Sequence, residues 1–151
     1  MENNVNSIKG NNPIVVAMSG GVDSSVAAAL MNKDYEDVIG VTLRLYDEKK
    51  VANSKTCCSG ADIMDAKKIA NTITIPHYVF DYEEIFRKNV IEPFINEYKS
   101  GRTPIPCINC NEKVKFLDLL NFAKEINAKS LVTGHYICLL YTSDAADDSL
   151  R

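Results

Sequence analysis

The chain's 151 residues, 46% hydrophobic and 25% charged, are those of one ordinary globular domain with enough apolar material for a core. Its net charge of −3 excludes the strongly basic profile of a protein that grips nucleic acid through bulk charge, while leaving room for a local basic patch. No apolar run is long enough to cross a bilayer, so no membrane role is expected, and Met1–Asn12 lacks the basic-then-apolar order of a secretory signal.

Residues 1–12, rich in asparagine, read as a flexible lead-in. Ile14-Val15-Val16-Ala17-Met18 is short, continuous and β-branched, the pattern of a strand buried on both faces. After the turn Ser19-Gly20-Gly21, Val22, Val26, Ala29 and Leu30 recur at helical spacing, so a helix starts at or near the turn. Asp37–Leu45 predicts a second strand, parallel to the first, and the polar, aperiodic stretch Tyr46–Lys55 predicts a surface loop. Ser59 is placed to cap a helix whose apolar stripe is Ile63, Ala66, Ala70 and Ile73.

Pro76 ends that pattern, and His77–Phe80 predicts a third strand in which His77 has a structural role. Asp81 is placed to cap a helical run from Glu83 to about Lys99 that kinks or restarts at Pro93. Gly101–Asn111 holds too much glycine and proline to be regular. Phe116, Leu119 or Leu120, Ala123 and Ile126 mark another helix, and Ser130–Thr133 a fourth strand running into Gly134-His135-Tyr136. This alternation predicts the α/β class: a Rossmann-like parallel sheet with helices on both faces, binding ligands outside the carboxyl ends of its strands. The glycine turn, Leu43 and Gly134-His135 all fall at such ends, so one cleft is expected to gather them.

The stretch Ala17-Met18-Ser19-Gly20-Gly21-Val22-Asp23-Ser24 joins a strand to a helix through two glycines. Backbone without Cβ lets an anion approach closely, and the first helical N–H groups and the Ser19 and Ser24 hydroxyls face the same point. That makes a phosphate cradle, although Ser-Gly-Gly with an aspartate at a helix start also occurs as a plain turn. No lysine follows the glycines as in the Walker A loop, and GxGxxG is absent.

Five cysteines in a chain with no secretory signal point to thiol chemistry or metal binding in a reducing compartment rather than to disulfides. Cys57 and Cys58 read as packing or incidental thiols, and Cys138 stands alone. Cys107-x-x-Cys110 sits in the Pro-rich stretch just ahead of an expected helix. There the dipole, Lys113 and Lys115 would favour a Cys110 thiolate, where an isolated cysteine would otherwise be a small core residue. The same two thiols also suit zinc or an iron–sulfur cluster completed by other ligands.

The string SGGVDS resembles the pyrophosphate-binding loop of the ATP pyrophosphatase (PP-loop) group, which cleaves ATP to AMP and pyrophosphate. With Glu97–Pro104, Cys110–Phe116 and Thr133-Gly134-His135-Tyr136, the chain from Pro13 to Tyr136 resembles the nucleotide-binding part of the tRNA-specific 2-thiouridylase family. The resemblance implies an adenine nucleotide alpha-hydrolase-like fold over residues 13–137, a cytoplasmic location and the cofactors ATP and Mg²⁺. It puts ATP on Ala17, Met18, Ser19, Gly20, Gly21, Val22, Asp23 and Ser24, with Leu43 and Gly134 lining the pocket and Asp23 an indirect Mg²⁺ ligand. It makes Cys110 the catalytic cysteine, Ile105, Pro106 and Cys107 contacts to the target base, and His135 a tRNA contact. Lys99, Arg102, Lys113 and Lys115 would then meet tRNA phosphates.

The implied reaction adenylates the C2 oxygen of the wobble uridine, and a cysteine persulfide loaded by a sulfur-relay donor protein then displaces AMP. Many family members carry aspartate where this chain has Cys107, which leaves no carboxylate base at that position. The family's second cysteine would fall beyond residue 137, so the chain alone is expected to bind ATP without thiolating tRNA. Residues 138–151 resemble a translated library-adapter read-through and are expected to be non-native; their three aspartates and one arginine account for −2 of the net charge. The alternatives are another PP-loop enzyme, either a different tRNA sulfurtransferase or an amide-forming ligase, and an inactive nucleotide-binding fragment.

Overall fold

Alternate residues of the first strand point to opposite layers, which is why a run as apolar as Ile14-Val15-Val16 can be central. In a computed structural model, which describes residues 12–46 and 60–136, β1 (Ile14–Ala17) and β2 (Val38–Arg44) are flanked by β3 (His77–Asp81) and β4 (Ser130–Thr133). The order is β3-β2-β1-β4 and every pairing is parallel. Ala17 pairs with both Val41 and Thr133, so β1 and β4 end level while β2 and β3 run on to Arg44 and Asp81. The chain steps from β1 outward to β2 and β3, then returns to the other side of β1, and that reversal opens a crevice between β1 and β4.

Helices cover both faces, as the alternation predicts. On one face Val15, Ile39, Val41, Leu43 and Leu45 meet Phe86, Val90, Val114, Leu119 and Phe122. On the other, Ile14, Val16, Met18 and Val38 meet Ala28 of α1 (Val22–Asp34) and Ala66 and Ala70 of α2 (Gly60–Thr72). The α2 stripe packs as expected. The α1 stripe does not: Val22, Val26 and Leu30 stay 77%, 52% and 53% exposed, and the helix meets the sheet through Ser24 and Ala28. Small residues on that side bring the helix axis close to β1 and β4, so the larger residues turn outward.

The run after β3 is continuous: α3 (Glu83–Phe86), a π-helical stretch (Arg87–Ile91) and α4 (Glu92–Lys99). Pro93 has no N–H and its ring crowds the preceding turn, so the widened turn just ahead of it is the expected kink in another form. The Asp81 carboxylate accepts from the Glu83 N–H at 3.2 Å and from Arg44 at 2.5 Å, both of which hold its pKa below the ordinary range.

Gly101–Asn111 is less irregular than its composition suggests. Pro106 opens α5 (Pro106–Asn109), which passes through a second π-helical stretch (Cys110–Phe116) into α6 (Leu117–Glu125). Proline at a first helical position loses no hydrogen bond, so it starts this helix instead of preventing it. Of the two leucines offered for the α6 face, Leu119 is buried and Leu120 is not. Ser59, Cys57, Cys58, Cys138 and the stretches 1–11, 47–59 and 137–151 lie outside the described residues.

His77 lies beside Gly40, half-buried. Burial first, and Lys67 second, hold its imidazole below the ordinary pKa range. The unfolded chain therefore takes up this proton at higher pH than the folded chain. The stability this group supplies is complete above about pH 6.5 and is lost as pH falls below it. Thermal unfolding at about pH 7.5 and about pH 5.5 should show a larger drop in midpoint for the wild type than for His77→Gln.

Candidate functional site

The turn after β1 is closed by its own serines. Ser24 is buried, and its hydroxyl donates to the Gly21 carbonyl at 3.1 Å. That proton being committed, the Ser19 hydroxyl is the donor in the 3.2 Å Ser19–Ser24 contact, and the Ser19 N–H donates to Ser24 Oγ at 3.1 Å. Ser25 also donates to the Gly21 carbonyl, at 2.7 Å. Ser24 thus shapes the turn, where the sequence suggests a hydroxyl offered to a ligand. Gly21 caps α1 with no side-chain bond, so the first-turn amides keep the helix's positive end open.

Gly20 and Gly134 are glycines for geometric reasons. Gly20 has φ +79°, and a Cβ on it would lie 2.3 Å from the Asp62 carbonyl oxygen of α2. A Cβ on Gly134 would lie 2.6 Å from the Ser24 nitrogen and 2.9 Å from the Asp23 carbonyl carbon. The segment after β4 therefore rests directly on the backbone that opens α1.

Between them is a cleft at the β1–β4 switch point. Ala17, Met18, Ser19, Gly21, Asp23 and Ser24 line one wall, Val41 and Leu43 the floor, Thr133, Gly134 and His135 the β4 side, and Lys115, Phe116 and Leu119 the roof. The cleft thus unites the glycine turn, Leu43 and Gly134. Gly20 shapes the bend beside it, and Val22, 77% exposed, is not among the lining residues. Val41, Thr133, Phe116 and Leu119 are lining residues that sequence reasoning missed; only register and helix phase bring them here.

Lys115, expected to meet tRNA phosphate, is the one lysine or arginine among the described residues that line the cleft. Arg102 is engaged with Glu97, including a 2.9 Å bond from Nη2 to Oε1. His135 stacks at a tilt on Phe116, with ring centroids 4.8 Å apart, and burial and then Lys115 lower its pKa. The Tyr136 hydroxyl donates to Asp23 at 3.0 Å, and that bond and the carboxylate's charge raise its pKa.

The cysteines stand differently from expectation. Cys110 is not ahead of a helix but one turn inside it, 8% exposed and packed with Phe86, Val90 and Val114. The early start at Pro106 is the cause: it puts Cys110 on the core face, where Cys107, one turn back, is exposed. Neither lines the cleft. Ile105, 62% exposed, and Pro106 sit with Cys107 at the start of α5. Among the described residues no group of three or more His, Cys, Asp or Glu is placed to hold a metal, so a cluster on these two thiols would need ligands from elsewhere. For Mg²⁺ the fit is simple: Asp23 offers one hard oxygen donor at the cleft wall, and phosphate oxygens would supply others. No helix among the described residues is long and apolar enough to cross a membrane.

Solved structures with this fold include an NMN synthetase from Francisella tularensis (TM-score 0.53, 21% identity, 79% of this chain and 44% of that one). An NH3-dependent NAD synthetase from Campylobacter jejuni is similar at TM-score 0.55 and 17% identity, over 83% of this chain and 51% of that one. At such identities the likeness concerns the fold alone. Curated relatives are more similar in sequence: proteins named tRNA-specific 2-thiouridylase MnmA from Zymomonas mobilis (55% identical, 89% of this chain, 36% of the relative) and Orientia tsutsugamushi (52%, 89% and 37%). The chain spans about a third of the length of these relatives. The family described as tRNA methyl transferase HUP domain matches residues 12–149, nearly the whole chain, and the protein belongs to that family.

Proposed function

We infer that this chain is the ATP-binding, adenylating part of a tRNA 2-thiouridylase. The observation that carries the reading is the cleft itself: an open helix N-terminus and a glycine turn on one wall, a single lysine opposite, and Gly134 between. The relatives' names supply the substrate class. ATP lies with its outer phosphates against Ser19–Ser24 and its base over Val41 and Leu43. Asp23 would help hold Mg²⁺, which when bound would supply neutralisation of phosphate charge.

The C2 oxygen of a wobble uridine attacks the α-phosphorus, the bond to the bridging oxygen breaks, and pyrophosphate leaves carrying that oxygen. Amides and Lys115 stabilise the charge that builds on the phosphoryl oxygens. A persulfide sulfur on Cys110 then attacks C2. AMP departs with the former C2 oxygen, and a further thiol takes the Cys110 sulfur as the S–S bond breaks, leaving sulfur on the base. Cys110 reaches that position only if the four-residue α5 gives way as tRNA docks on Ile105, Pro106, Cys107 and His135. A low-molecular-weight thiol reductant then opens the disulfide so formed, and the freed Cys110 thiolate takes a sulfane sulfur from the persulfide of a sulfur-relay protein.

The deciding experiment is exchange of radiolabelled pyrophosphate into ATP. Exchange that requires tRNA supports the reading, exchange that requires a carboxylic-acid substrate makes the chain an amide-forming ligase, and ATP binding with no exchange makes it a binder. Calorimetry should show Lys115→Met weakening ATP binding by about tenfold or more, the value of one charge-assisted contact, while adenosine binding stays unchanged.

A further inference from the structure

β1 ends at Ala17, and the chain leaves the sheet through Met18. The Met18 N–H still follows the ladder, donating to the Val41 carbonyl at 2.8 Å. Its carbonyl accepts from a side chain, the Thr42 hydroxyl, at 2.7 Å. Thr42 is 1% exposed on the face that packs α1 and α2. A hydroxyl has one proton, and this one is committed to Met18. The second contact of Thr42 Oγ1, 2.8 Å to His77 Nε2, therefore has the imidazole as donor. That fixes the tautomer with its proton on Nε2 and leaves Nδ1 buried without a hydrogen-bond partner among the described residues. Gly40 makes the room, since a Cβ there would lie 2.6 Å from Met18 Sδ and 3.1 Å from His77 Cδ2.

The core does not call for this arrangement. The buried cluster on the same face is otherwise apolar, Val16, Met18, Ala28 and Ile75 among its members, valine has threonine's shape, and buried polar groups are costly unless each is matched. The two-bond chain runs from His77 through Thr42 to one target, the carbonyl just before Ser19. We propose that Thr42 and His77 are positioning residues that fix the angle at which the phosphate turn leaves the sheet. The chain of bonds holds Met18, Met18 sets Ser19, and Ser19 closes the turn on Ser24. This rests on the reading of Ser19–Ser24 as a triphosphate site, so the test separates the two.

The chain itself is titrated with ATP and, separately, with adenosine, and amide exchange is followed by mass spectrometry over residues 17–25. Thr42→Val should weaken ATP binding by about tenfold, the worth of one buried hydrogen bond, with adenosine unaffected and the turn exchanging faster. Thr42→Ser, which keeps the hydroxyl, should return both to wild-type values. His77→Phe removes the donor that orients Thr42 and should shift both in the same sense by a smaller factor; it also decides the matter if Thr42→Val does not fold. Unchanged exchange and unchanged ATP affinity in Thr42→Val, or equal losses for ATP and adenosine, would overturn the proposal. Wild-type protein that fails to bind ATP removes the nucleotide reading, and the exchange comparison then supports or overturns the positioning role by itself.

Discussion

Gly20→Ala should abolish measurable ATP binding and lower stability by about 2–4 kcal/mol, from the sum of two penalties. The first is conformational: at φ +79° a side chain crowds its own carbonyl, costing about 1–2 kcal/mol. The second is steric and harder to relieve, because the methyl would sit 2.3 Å from backbone oxygen of α2, not against a flexible side chain. The turn can accept the methyl only by rotating away from α2, which changes where the first-turn amides of α1 point. Gly21→Ala is the control: Gly21 has φ −78°, and its Cβ would meet only Ser19 Oγ, at 3.5 Å. Urea unfolding should place Gly21→Ala near the wild type and Gly20→Ala well below it. Equal midpoints would show that the turn is free to move off α2.

Gly134→Ala should cost at least about tenfold in ATP affinity and about 1–3 kcal/mol in stability, the range for overpacking a filled site. Here φ is unremarkable and the whole effect is contact. The added methyl would press on the Ser24 nitrogen and the Asp23 carbonyl carbon, parting the segment after β4 from the start of α1. That seam is one side of the cleft, so His135 and Thr133 move with it. Thermal unfolding and calorimetry on the same variant separate the two losses. Wild-type ATP affinity in Gly134→Ala would mean that the nucleotide does not use this seam.

Much of this was readable from residues in order. Four β-branched or aromatic runs at the right intervals announce parallel strands, and β4 occupies Ser130–Thr133 as its pattern predicts. Strand ends carry the glycine turn, Leu43 and Gly134, and the end-of-strand rule for parallel sheets joins them into one cleft. Where the reading slipped, a single residue had two uses. Pro106 counts toward an irregular stretch by composition yet acts as a helix starter, and that moves Cys110 from just ahead of a helix to its core face. The recurrence of Val22, Val26, Ala29 and Leu30 announces α1 but not its buried side, which Ser24 and Ala28 form because they allow closer contact with the sheet.

The order of residues alone determined the α/β class, the parallel strands and the turn that opens α1, because each depends on local periodicity and on backbone that only glycine permits. Helix phase and strand register decided the rest: which wall Lys115, Phe116 and Leu119 form, how Thr42 and His77 reach Met18, and on which side of the helix opened by Pro106 each cysteine falls. Those depend on contacts between residues 24 to 113 positions apart, and no local pattern encodes the angle at which two packed elements meet.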